Sequence, residues 1–217
     1  MKIEATFVLS AAKPADFPHD GLPEIAFVGR SNVGKSSLMN ALVRQRVART
    51  SRTPGKTRLA NVYRARRGNA TALYLVDLPG YGYARGGSES ARAFDELTRV
   101  YFGREEQVSA LFIVDARHPG LPRDLEAWHW LRGVVGREVA IVATKIDKLA
   151  RGERIRALRQ LESVWNDSVM PVSAVTGEGL DELWKLIDNL ANNRNQNPRH
   201  RRAETAPRRP PKNPPRK

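Results

Sequence analysis

Cysteine is absent from all 217 residues. That absence removes a disulfide scaffold, a thiolate metal site and a cysteine nucleophile together, and it fits a reducing compartment. Long apolar runs are missing as well. The opening MKIEATFVLSAAKPADF has a lysine and then an apolar stretch, but Glu4 and Thr6 interrupt it and Lys13 follows soon after. It is too short and too polar for a signal-peptide core, and no later segment reaches membrane-spanning length. These features predict a cytoplasmic protein with no membrane partner. Histidine is scarce: His19, His118, His129 and His200 are scattered without ligand spacing, so no metal site is expected on them. No internal repeat is present.

Acidic residues are the rarer charge, 23 against 37 Lys and Arg, for a net charge of +14. Such an excess suggests a polyanionic partner, which in the cytoplasm means nucleic acid; solubility is the blander reading. The charge is uneven. From Ala191 onward nine Lys or Arg stand against one acid, Glu204, among six prolines and almost no apolar residues. Such a stretch cannot bury enough surface to offset its ordering entropy, so residues 193–217 are expected to form a disordered basic tail. A flexible basic arm suits an RNA backbone, where each phosphate contact releases counterions.

Ahead of the tail, short apolar runs alternate with helical patterns. EIAFVG (24–29), ALFIVDA (110–116), EVAIVAT (138–144) and SVMPVSA (168–174) read as buried strands, and RLANVYRAR (58–66) with TALYLVDL (71–78) as a hairpin turning at RGNA. Helices are predicted from about Gly34 and over 89–102, 122–135, 153–165 and 180–191. Within the last, Leu183, Trp184, Ile187 and Leu190 recur at core spacing. One of Trp128 and Trp130 should be core and the other partly exposed. The alternation predicts a three-layer α/β domain over 23–192: a mostly parallel sheet with one antiparallel edge strand and helices on both faces. Residues 1–22 form an N-terminal strand and lead-in.

Three segments carry chemistry. In GRSNVGKSS, Gly29, Gly34, Lys35 and Ser36 stand at the phosphate-loop spacing, between a strand and a helix. The backbone from Gly29 through Arg30, Ser31, Asn32, Val33 and Gly34 to Ser37 can wrap its N–H groups around phosphates. Lys35 would reach the β- and γ-phosphates and the Ser36 hydroxyl would ligate Mg²⁺. In LYLVDLPGYGYA, Asp77 stands ready to hold the metal through water, and Gly80, after Leu78 and Pro79, can offer its N–H to the γ-phosphate. In TKID (Thr144, Lys145, Ile146, Asp147), the Asp147 carboxylate can accept from N1–H and the 2-amino group of guanine, donors that adenine lacks. Lys145 would lay its stem along the purine. Further on, in a segment opening at Val172 that is also expected to bind the nucleotide, Ser173 and Ala174 would bring backbone N–H groups toward the guanine O6. The order of these segments implies GTP and GDP as ligands and disfavours a P-loop kinase or ATPase.

GRSNVGKSS, TPGKT, DLPGYGYA, TKID and VSA together resemble the bacterial EngB (YihA or YsxC) family of small GTPases, of the Era, TrmE and EngA branch. The resemblance spans about residues 5–192. It implies a Ras-like domain that hydrolyses GTP with Mg²⁺, a role in assembling the large ribosomal subunit through its rRNA and ribosomal proteins, and an association with normal cell division and septation. A monomer is expected. It also implies that Thr57, beside Gly55 and Lys56, is the switch residue meeting Mg²⁺ and the γ-phosphate; the residues alone leave Thr50 and Thr53 open. Two departures from the Ras pattern stand out. The guanine motif begins with Thr144 in place of Asn, which removes an amide contact and predicts weaker nucleotide binding, and Tyr81 occupies the position of the water-orienting Gln, which predicts slow intrinsic hydrolysis. GTPases of this branch often use K⁺ held partly by a phosphate-loop Asn, and Asn32 has that place. A tethering module with a structural nucleotide, and a GTPase acting directly on the division machinery, are the alternatives.

Overall fold

The computed structural model describes residues 2–48, 59–81, 96–104, 108–136 and 138–195. Seven strands, β1 (Ile3–Ala11), β2 (Glu24–Gly29), β3 (Ala60–Arg67), β4 (Leu73–Asp77), β5 (Val108–Asp115), β6 (Val139–Thr144) and β7 (Val169–Pro171), form one sheet in the order β1-β3-β4-β2-β5-β6-β7. The helices are α1 (Lys35–Val43), α2 (residues 96–102), α3 (Pro122–Val135), α4 (Arg151–Trp165) and α5 (Leu180–Asn195). Thr50, Thr53, Gly55, Lys56 and Thr57, the first turns of the helix expected from 89, and the tail beyond 195 lie outside the described residues.

The apolar runs form strands because both of their faces are covered. β2 and β5 are buried along their whole length. Their side chains divide with period two. Ile25, Phe27, Leu111 and Ile113 meet α1 and α5, while Ala26, Val28, Phe112 and Val114 meet α2, α3 and α4. On the first face Leu183, Trp184, Ile187 and Leu190 are all buried, as their spacing requires. On the second, Phe112 packs at 5.5 Å from both Trp128 and Trp165. Trp130 is partly buried, edge-on to Phe102 of α2.

The hairpin supplies the antiparallel strand, but that strand is not the edge. β3 pairs antiparallel with β4 on one side and with β1 on the other, so β1 forms the rim. An antiparallel strand with open donors on its free side would invite further pairing. The N-terminal segment closes that side, so β1 belongs to the same sheet as the strands that carry the site. β7 is shorter than SVMPVSA suggested, three residues, because the chain turns away at Val172 into the loop of Ser173 and Ala174.

β4, β2, β5, β6 and β7 run parallel, so their C-terminal ends share one side of the sheet. Crevices outside the carboxyl ends of such strands are where ligands bind in open α/β sheets. All three chemical segments leave the sheet there. The opposite end of β2 is closed by an ion pair between buried Glu24 and Arg104 at 2.7 Å, with Tyr101 donating to the same carboxylate oxygen at 2.8 Å. The Arg104 guanidinium also lies over the rings of Phe17 and Tyr101.

Candidate functional site

The loop between β2 and α1 owes its shape to close approach. A Cβ on Gly29 would stand 2.4 Å from the carbonyl oxygen of Ile113 on β5, so only glycine lets β2 leave the sheet there. Lys35, buried in the first turn of α1, reaches back across the loop. Its Nζ donates to the carbonyls of Gly29 at 3.0 Å and Arg30 at 3.3 Å. Burial pushes the Lys35 ammonium down, opposed by the negative charge of Asp77. The loop is thereby curled around an ammonium at the N-terminus of α1, where backbone N–H groups and a positive charge favour an anion. Val33 turns its side chain into the core and gives its N–H to the Arg30 carbonyl at 3.3 Å, so it shapes the loop instead of offering that N–H to a phosphate as expected; Ser37 is exposed on α1.

Asp77 ends β4 directly opposite. The Ser36 hydroxyl donates to its Oδ2 at 2.7 Å, while Oδ1 is buried with no hydrogen-bond partner among the described residues. Burial pushes the Asp77 carboxyl up, against the pull of Lys35 and the Ser36 hydroxyl. A hydroxyl beside a carboxylate with an unused buried oxygen is a fitting donor set for a hard divalent cation, which favours oxygen ligands and the ionised carboxylate. Leu78 and Pro79 are buried, which brings Gly80 against the phosphate loop. Ser31 donates its N–H to the Tyr81 carbonyl at 3.0 Å and its hydroxyl to the Gly80 carbonyl at 3.1 Å. A Cβ on Gly80 would come within 2.7 Å of Ser31.

β6 delivers the third segment. The Thr144 hydroxyl, buried at the strand end, lies 2.6 Å from the Val33 carbonyl and 3.0 Å from that of Val114. The sequence suggested that replacing Asn by Thr loses a contact; the shorter hydroxyl nonetheless ties the guanine motif to the phosphate loop. Lys145, at φ 62°, sends its Nζ to the Asn32 carbonyl at 2.6 Å and to Asp115 at 3.0 Å. Its stem thus spans the space between the loop and the guanine-reading segment. Asp115, at the end of β5, was read from sequence only as part of a strand. Burial raises its carboxyl, but hydrogen bonds from Arg117 and Lys145 outweigh that and hold it well below the usual carboxylate range. A carboxylate closing a fully apolar strand was the signal that could have marked it.

Asp147 is oriented from behind. Ser173 donates its hydroxyl to Oδ1 at 2.7 Å and accepts from the N–H groups of Val175 and Thr176. Burial raises the Asp147 carboxyl, and the Ser173 hydroxyl and Lys148 more than reverse it, so the group stays ionised. This corrects the expectation for Ser173. Its own N–H donates to the Glu178 carbonyl at 2.9 Å, so it is the Ser173 hydroxyl, holding Asp147 in place, that takes part here. Ile146 and Val172 are buried in the core and contribute no side chain. Arg30 points away from the loop, with its Nε 3.6 Å from buried Asp124 of α3. Tyr81 turns the same way.

The tie from Thr144 is open to test. Thr144→Val keeps the shape and leaves a buried carbonyl unpaired, so it should lower unfolding stability by about 1–3 kcal/mol in urea titrations. Thr144→Ser should recover most of the loss. Equal stability of all three proteins would show that the tie contributes nothing.

Comparison with known proteins agrees with this geometry. The family model described as 50S ribosome-binding GTPase matches residues 24–145. A probable GTP-binding protein EngB from Solibacter usitatus (strain Ellin6076) is 44% identical over 187 residues, covering 85% of this chain and 95% of that protein. One from Clostridioides difficile (strain 630) is 40% identical over 201 residues, covering 88% and 96%. Among solved structures, Era in complex with MgGDPNP and nucleotides 1506–1542 of 16S ribosomal RNA aligns with a TM-score of 0.66 at 27% identity, covering 79% of this chain. The chain spans 57% of that Era structure's length. A probable GTP-binding protein engB, at 24% identity, shares the fold with a TM-score of 0.61. A phosphate loop, an acid beside it and a carboxylate buttressed at the end of the next strand thus stand on a sheet whose relatives are GTP-binding proteins along nearly their whole length: the chain belongs to the EngB family and is a GTPase.

Proposed function

We propose that this GTPase acts as a GTP-controlled switch in assembling the large ribosomal subunit, and that normal division and septation depend on it through that work. The observation carrying the nucleotide reading is Asp147, ionised and aimed by Ser173 at the end of β6 beside the phosphate loop. Guanine offers it two donors where adenine offers none. Lys35 and the loop N–H groups would hold the phosphates, Ala174 the O6, and Lys145 the purine face. Ser36 and Asp77 would hold Mg²⁺, with Thr57 completing the set. The metal, when bound, neutralises charge on the phosphates. The Gly80 N–H would meet the third phosphate, so that its presence orders the segments carrying Thr57 and Gly80.

The ribosomal destination is supported by the matching family model and by the Era–rRNA complex among the structural relatives. The net charge of +14 suits the same partner. In this reading the protein works in the cytoplasm as a monomer, and among the described residues no helix is long and apolar enough to cross a membrane. The basic tail favours a second reading, in which it tethers the protein to RNA and nucleotide is a structural ligand.

Tyr81 gives a reason for slow intrinsic hydrolysis. Its hydroxyl donates to Asp124 at 3.0 Å inside the core, so it does not position water over the phosphates. We propose K⁺ as the missing catalytic charge, held in part by Asn32, which is exposed on the phosphate loop at φ 64°.

Three measurements follow. Asp147→Asn should weaken GDP binding by about 10³- to 10⁴-fold in calorimetry and improve binding of xanthosine diphosphate, whose C2 carbonyl suits an amide donor. An unchanged GDP affinity would remove Asp147 from base recognition. In co-sedimentation with purified large subunits, full-length protein and a chain ending at Asn195 should both bind with a non-hydrolysable GTP analogue and release with GDP. Binding that ignores nucleotide and vanishes with the tail would establish the tether instead. With large subunits present, hydrolysis should run faster in K⁺ than in Na⁺, and Asn32→Ala should erase the difference; equal rates would end the K⁺ proposal.

A further inference from the structure

Asp124 is the buried carboxylate that nucleotide binding leaves unexplained. It lies in the first turn of α3 and is 1% exposed. Two elements of the site converge on its Oδ1: the Tyr81 hydroxyl at 3.0 Å, following Gly80, and the Arg30 Nε at 3.6 Å, on the phosphate loop. The backbones of Arg30 and Tyr81 are themselves paired as a parallel bridge beyond the ends of β2 and β4. Burial pushes the Asp124 carboxyl up, opposed by the Tyr81 hydroxyl and by Arg30; Asp115 adds to the rise and His118 opposes it. A buried carboxylate is costly, and an apolar residue of similar size would pack under Tyr81 without that cost. Its presence calls for a job that packing alone does not do.

The job follows from where Tyr81 stands in the chain. The ring lies parallel to Phe112 at 6.4 Å, a contact between apolar faces that does not by itself choose where the phenol oxygen sits. The hydrogen bond to Asp124 ties that oxygen to α3. Because Tyr81 is covalently next to Gly80, anchoring the phenol fixes the Gly80 peptide. That peptide already has no slack toward the loop, given the 2.7 Å approach to Ser31. We propose that Asp124 is a positioning residue for the third phosphate: by anchoring Tyr81 to α3 it holds the Gly80 N–H at the phosphate loop, and so sets how strongly the protein prefers GTP over GDP. The proposal rests on the reading of Gly80 as a γ-phosphate donor. It makes α3 the element through which a contact outside the nucleotide site reaches the Gly80 segment, since Asp124 moves with the helix.

The test is the ratio of affinities for a non-hydrolysable GTP analogue and for GDP, measured with Mg²⁺ on the full-length protein. Tyr81→Phe keeps the ring and removes the anchor; the ratio should fall about three- to tenfold with GDP affinity within about twofold. Asp124→Ala should lower the ratio at least as much, since it also releases Arg30, and the double variant no further than Asp124→Ala, because that variant has already lost the link that Tyr81→Phe removes. Asp124→Asn still offers Tyr81 an acceptor and should restore most of the ratio. A residue that only supports folding would weaken both nucleotides alike, and that result overturns the proposal, as does an unchanged ratio in Tyr81→Phe. Gly80→Ala serves as the separate check. If it leaves the ratio intact, Gly80 does not meet the third phosphate and the reading beneath the proposal fails. If it lowers the ratio while Tyr81→Phe does not, only the Asp124 link fails.

Discussion

A loop that must present its N–H groups inward to a ligand cannot spend them on regular secondary structure, and this constraint governs the arrangement around it. The phosphate loop is held from outside by side chains. The Thr144 hydroxyl takes the Val33 carbonyl, the Lys145 ammonium takes that of Asn32, and Lys35 takes those of Gly29 and Arg30. These ties occupy the carbonyls of the loop, while Ser31 and Val33 give their own N–H groups to the carbonyls of Tyr81 and Arg30, so that only the other loop N–H groups can serve a ligand. They also fix the end of β6 against the loop. The distance between the base-reading carboxylate and the phosphate seat is therefore set by the same bonds that shape the loop.

The charges at this end of the sheet are grouped by function. Lys35 and Asp77 are buried facing each other, where each moderates the desolvation of its partner. Asp115 is ionised between Arg117 and Lys145, which makes it an anchor for the lysine that spans the ligand space. Asp124 is held by a neutral hydroxyl and a cation slightly beyond hydrogen-bond reach. Such buried carboxylates add little net stability over apolar packing, so their concentration around three loops reflects positioning. The Glu24–Arg104 pair at the opposite end of β2 shows the contrast: clamped by Phe17 and Tyr101, it closes the core far from any ligand.

Much was legible locally. Phosphate-loop spacing, the acid ending a strand and the TKID carboxylate each announce their chemistry because the reacting groups lie within a few residues of one another. α3 begins and ends where its pattern predicted, at Pro122 and Val135, since proline opens a first turn and Gly136 follows the last. The apolar runs were readable as buried strands because parallel strands covered on both faces have no solvent side to mark with polar residues. The rim position of β1 was not readable, because pairing with β3 joins residues as far apart as Ile3 and Arg67.

The sequence by itself determined the ligand class, since the phosphate loop and the TKID segment carry their groups within a few neighbouring residues. Only the tertiary structure decided what those groups lean on. Tyr81 at the Gln position could have faced water or core, and the choice was made by Asp124, 43 residues away, and by the plane of Phe112. Ser173 could have offered its N–H to a base, and Glu178 claimed it. Thr144 could have been a loss, and the Val33 carbonyl 111 residues earlier made it a tie. Each outcome depends on which distant chain segment the sheet brings alongside, and that is a property of the packed strand order, which no short window of residues contains.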